Sequence, residues 1–196
     1  MSDVVPILDI IEHIHKKNKG IAQFWSGAEG WAPVAAARLL SKSMLDWQVS
    51  LSQTLSLWVR PNADSLSPDG SGRLILGWAN LGSLVEGSLK WFLSVYYENY
   101  KADLNVLRDQ KKGALKQPDV IALEELRNFF KRSIWTSSEE WDAWVLHIQQ
   151  RRNAIHAYKH RDIGTIEELE NDIRKYWQFL NDLDGRVPYP DEMYRP

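Results

Sequence analysis

The residues best suited to chemistry lie close together late in the chain: Arg151, Arg152, Asn153 and His156. Arginine stays charged at any physiological pH and histidine titrates near neutrality, so two guanidinium groups, a carboxamide and an imidazole in so short a run point to an anion site. The surrounding span 143–161 adds Lys159, Arg161, His147 and His160 without one carboxylate. Over the whole chain, 24 basic and 26 acidic side chains leave a net charge of −2. An anionic ligand must therefore be held by a local patch, and no global field favours DNA.

These residues need an element to position them. Trp141 to Arg161 reads as one helix. With Ile148 at the centre of its buried stripe, Trp141, Trp144, Ile155 and Arg152 fall within about 40° of that bearing, and His156 about 40° beyond Arg152. Arg151 lies on the other shoulder. The same residues could instead form a polar network that closes a helix face. A third use is a metal pair, His156 with His160 and Asp162 nearby, although no Glu-x-x-His accompanies them. His147 lies further off and has no evident partner.

The rest of the chain supplies apolar stripes at helical spacing. Ile7, Ile10, Ile11 and Ile14 predict an amphipathic helix over 3–19, ended by Gly20, with a loop over 20–30. Leu40, Met44, Trp47, Leu51, Leu55 and Trp58 alternate steps of three and four, which predicts one long helix over 31–59 with these residues inward. The turn formers of 61–72 lead to a second long helix, striped by Leu74, Trp78, Leu81, Val85, Leu89, Phe92 and Tyr96, and the two pair as an antiparallel hairpin. Opposite that stripe, Asn80, Ser83, Gly87 and Ser94 make a small-residue face suited to close approach by another helix of the chain, in preference to a second subunit.

A basic connection over 105–117 precedes a shorter helix from Pro118 to Arg132, with Val120, Leu123, Leu126 and Phe130 inward. Capping boxes at Ser137–Glu140 and Thr165–Glu168 open the last two helices, and Gly185 ends the final one. The tail, 185–196, is expected to be extended and to lie on the body through Tyr189 and Tyr194. No segment alternates as a strand. The fold class is all-α, a helical bundle with two long antiparallel helices and several shorter ones, in a single domain of residues 1–196.

Composition removes several function classes. Without cysteine there are no disulfides, thiolate nucleophiles or cysteine zinc sites, which fits a reducing compartment. The charged first twenty residues resemble neither a signal segment nor a membrane span, and no later apolar run is long enough for one, so the expectation is a cytoplasmic protein without membrane contact. Ten tryptophans lie mostly on apolar helix faces and read as core.

The segment Arg151-Arg152-Asn153-Ala154-Ile155-His156 resembles the signature of the HEPN superfamily of helical proteins. That signature is an arginine, commonly followed by a polar residue such as asparagine, then a histidine after about four to six residues. From Arg151 the spacer is four; from Arg152, which Asn153 follows, it is three, so either arginine is the candidate. The position of the motif on a penultimate helix, before a short turn into a capped last helix, also fits. The resemblance implies an HEPN-like bundle and a metal-independent endoribonuclease of toxin or antiviral-defence type. Such an enzyme needs no cofactor, forms its site in a homodimer, acts on RNA and can be held by an antitoxin partner. His156 would move a proton to or from ribose and leaving oxygens, Arg151 or Arg152 would stabilise charge on phosphorus, and Asn153 would orient the imidazole or contact phosphate. The products would be a cyclic phosphate and a 5′-hydroxyl. Since the superfamily also holds members that bind without cleaving, a helical interaction or ligand-binding module is the alternative expectation.

Overall fold

The computed structural model describes residues 5–59, 68–109, 111–137, 139–156 and 158–196. Among them are the helices α1 (Ile7–Trp25), α2 (Val34–Lys42), α3 (Leu45–Trp58), α4 (Pro68–Val95), α5 (Tyr97–Ala102), α6 (Leu123–Ser133), α7 (Trp141–Arg152) and α8 (Ile166–Arg186). The described residues form no strand; one isolated antiparallel bridge joins Arg108 and Leu115. None of these helices is long and apolar enough to cross a membrane.

The bundle is built around α4. Trp78, Leu81, Leu84, Val85 and Leu89 are fully buried, so α4 is enclosed on more than one side by α2, α3, α6, α7 and α8. A helix apolar on only one face would leave one side to solvent; α4 instead uses glycines where neighbours come closest. Gly77 faces Trp58, Gly82 faces Arg152, and Gly87 faces Gln48. Of the small-residue face, Asn80 and Gly87 are met by Thr54 and Gln48 of α3, while Ser83 and Ser94 line an open groove. Because Trp58, Thr54 and Gln48 meet Gly77, Asn80 and Gly87 in turn, α3 and α4 run antiparallel.

Several boundaries differ from the sequence expectation. The first helix continues through Gly20 to Trp25, since Ile21, Ala22 and Trp25 keep its buried stripe going, and Gly20 leaves room for Pro196 of the tail. The expected long helix over 31–59 is broken at Ser43, whose backbone is extended and whose hydroxyl donates to the Leu40 carbonyl at 2.6 Å. That local bond competes with helix continuation. Beyond the break the stripe turns: Leu45, Ser52 and Leu55 are buried, while Met44 and Trp47 are 62% and 67% exposed. The turn over 61–72 lies outside the described residues up to 67, and 68–72 already belong to α4.

Pro118–Val120 form a separate 3-10 turn, leaving Val120 outside and α6 starting at Leu123. The Ser137–Glu140 capping box does not form. Glu140 and Glu139 instead pair with Lys175 and Arg186 of α8, at 3.0 and 2.9 Å, and α7 begins at Trp141 without a side-chain cap. The Thr165–Glu168 box is present in full. Gly185 lies inside α8, which runs on to Arg186.

Candidate functional site

The expected central helix ends nine residues early. α7 stops at Arg152, and Asn153–His156 continue as a 3-10 turn. A 3-10 turn advances about 120° per residue against about 100° in an α-helix, so His156 lies far from the bearing of Arg152. Ile155 is consequently 42% exposed and not part of the buried stripe. The four motif residues therefore divide among different surroundings.

Arg151 points into the protein. Its guanidinium, 11% exposed, pairs with Asp162 at 2.6 Å and Glu168 at 2.9 Å, and lies 5.9 Å from the Trp78 ring. Trp78 in turn donates its indole N–H to the Ile163 carbonyl at 2.6 Å. The loop between α7 and α8 makes a tight turn at Gly164, with φ +64, whose N–H donates to Asp162 at 2.9 Å. That N–H, and then Arg151, hold the Asp162 carboxyl below the usual aspartate range. Arg151 thus fixes the loop onto the bundle, which is the polar-network use of the motif.

Arg152 points the other way. Its stem lies on Gly82 of α4, so close that an added Cβ there would meet Arg152 Cδ at 2.6 Å. Its guanidinium pairs with Glu86. Lys90 reaches the same carboxylate at 2.7 Å and the Asp119 carbonyl at 3.0 Å. Burial pushes the Glu86 carboxyl up, but the bonds from Lys90 and Arg152 outweigh it and hold the group below its ordinary range. This cluster lines one side of an open groove of about 560 Å³ whose other side is α2 and α3, with Met44, Trp47 and Leu51. Trp47, expected in the core, is the most exposed tryptophan of the chain.

Asn153 is half-buried and His156 is exposed; neither side chain bonds another described residue. The alternative metal set does not assemble: among the described residues no three histidines or carboxylates gather around one point. His147 does have a partner. Its Nε2 lies 2.9 Å from Asp172, which also accepts from the Trp144 indole at 2.8 Å.

Glu86 and Lys90 were not singled out from sequence. A signal existed: Glu86 is the one carboxylate between Asp69 and Glu98, four residues before Lys90 on an apolar helix. Trp47 could not have been found, because its exposure follows from the break at Ser43. The chain matches no protein-family model, no curated protein and no solved structure.

Proposed function

We propose that the chain is an HEPN-like, metal-independent endoribonuclease of toxin or antiviral-defence type, with Arg152 and His156 as its reacting pair and two copies forming the complete site. The observation that supports this reading is the division of the two arginines. Arg151 is committed to two carboxylates, whereas Arg152 lines an open groove and has donors beyond the one given to Glu86.

In the proposed reaction the ribose 2′-oxygen attacks the adjacent phosphorus while the bond to the 5′-oxygen breaks. One group must take the 2′ proton and another must protonate the leaving oxygen. A single His156 cannot do both in one step, so the His156 of a second copy supplies the other transfer. Arg152 offsets the charge that develops on the phosphoryl oxygens. The exposed Trp47 indole offers an unpaired base a stacking surface in the same groove. Asn153, whose side chain bonds no other described residue, would contact phosphate.

The test is cleavage of a mixed RNA pool in EDTA by the wild type, His156→Ala and Arg152→Ala. Cutting by the wild type alone, leaving cyclic phosphate ends, is the expected result. Equal cutting by His156→Ala would overturn the assignment. A second reading rests on Met44 and Trp47, which leave an apolar wall uncovered. In it the groove docks a partner and no RNA is cut; partner binding that survives loss of Arg152 and His156 but not of Trp47 would favour it.

A further inference from the structure

A second cavity, of about 350 Å³, lies between the α4–α5 junction and α6 and shares no lining residue with the Arg152 groove. Its walls include the rings of Phe92, Tyr96, Tyr100 and Phe129, and its rim carries Asn99, Asp103 and Ser133. The two tyrosine hydroxyls are spent elsewhere: Tyr96 donates to the Arg186 carbonyl and Tyr100 to the Lys116 carbonyl at 2.9 Å. What they offer the cavity is ring surface. Burial pushes the Tyr100 phenol up to about 12, so it stays neutral.

The polar rim is one-sided in charge. Asp103 Oδ1 accepts from the Ser133 hydroxyl at 3.0 Å and the Asn105 N–H at 2.7 Å. These bonds fix the carboxylate while Oδ2 bonds no described residue, and Asp103 forms no ion pair among the described residues. No lysine, arginine or histidine lines the cavity. A held, unpaired carboxylate on the rim of a cavity lined by aromatic side chains favours a cation through its charge and an apolar body through the lining. The volume lies at the small end of ligand sites, enough for one ring or a branched alkyl body.

We infer that this cavity binds a small organic ammonium ion, with the charged nitrogen toward Asp103 and the apolar body against Phe92, Tyr96 and Phe129. The inference is independent of any reaction at Arg152.

The probe is phenethylammonium, compared with the neutral 2-phenylethanol, titrated into the full chain by heteronuclear NMR and calorimetry. Phenethylammonium should saturate with a Kd on the order of 1 mM, about tenfold tighter than 2-phenylethanol, and show NOEs to the Phe92 and Phe129 rings. Asp103→Asn, which keeps acceptors for Ser133 and Asn105, should abolish the preference for the cation. No saturation by about 10 mM, equal affinity for the two probes, or NOEs elsewhere overturns the proposal from the wild type alone. A preference that persists in folded Asp103→Asn does so too.

Discussion

Arg151 and Arg152 are neighbours that face different sides of α7, and substitutions should separate them. Arg151→Ala removes two charge-assisted bonds and the contact with Trp78, which should lower stability by about 2 kcal/mol in urea denaturation. Arg152→Ala leaves Lys90 on Glu86 and should cost about 1 kcal/mol or less, while the proposed cleavage should be lost. The opposite result, cleavage lost with Arg151 at unchanged stability, would return the motif arginine to Arg151. Glu86 gives a pH signature. Its folded pKa lies below the ordinary 4.5, so the stability it contributes is complete above that value and is lost as pH falls through the lowered folded one. Glu86→Gln should therefore flatten this part of the acid limb in pH-dependent denaturation. The same change leaves Arg152 without its counter-charge and, under the proposed function, should tighten RNA binding about fivefold at low salt, as read by fluorescence anisotropy.

At the scale of elements, the glycines of α4 and α8 make a controlled pair. Alanine gains about 1 kcal/mol over glycine inside a helix, so the sign of each change depends on space. At Gly82 the new Cβ would lie within 2.9 Å of Arg152 Cβ and Cγ, atoms too near the backbone to move alone. Overpacking of this kind costs about 1–3 kcal/mol, so Gly82→Ala should lower the melting temperature and displace Arg152 from the groove. Nothing lies near Gly185, and Gly185→Ala should stabilise by about 0.5 kcal/mol. Matching shifts at both positions would contradict the packing described.

Sequence periodicity was sufficient for α4, whose stripe residues Leu74, Trp78, Leu81, Val85, Leu89 and Phe92 are all buried. It failed at Met44 and Trp47, where a single serine bond turns the helix after the stripe has been counted. The two capping boxes look alike in sequence, yet only Thr165–Glu168 forms, because Glu139 and Glu140 have basic partners on α8. The surroundings of the motif were less legible: its residues stand out by type, but the division of its arginines depends on Glu86, Glu168 and Asp162, which lie far from it or beyond the helix end.

At the scale of the whole molecule, the C-terminal tail closes over α1 and α8. Buried Asp184 accepts from Lys17 at 2.9 Å and from the Tyr189 hydroxyl at 2.7 Å, and that hydroxyl accepts from the Trp25 indole at 3.0 Å. Tyr194 adds its ring to Phe24, and Arg195 covers Tyr189 with its guanidinium 4.7 Å from the ring. The tail thus lies on the body through Tyr189 and Tyr194, as their place in the sequence suggested. Such a closure has an alkaline weakness. Burial, then the bond to the Asp184 carboxylate, push the Tyr189 phenol well above 10, and burial likewise raises Tyr96, Tyr100 and Tyr176. For an acid whose folded pKa is raised, the contribution to stability is complete below the unfolded value and is lost as pH rises toward the folded one. The protein should therefore lose stability steeply above about pH 10, with phenolate absorbance and helix loss rising together, because these hydroxyls ionise only on unfolding. Tyr189→Phe should lower stability at neutral pH by about 2 kcal/mol, since Trp25 and Asp184 each lose a bond, yet soften the alkaline limb by removing one of the titrating groups. If the variant's alkaline limb is as steep as that of the wild type, the phenol of Tyr189 ionises in the folded protein and the closure over Asp184 is looser than its geometry implies.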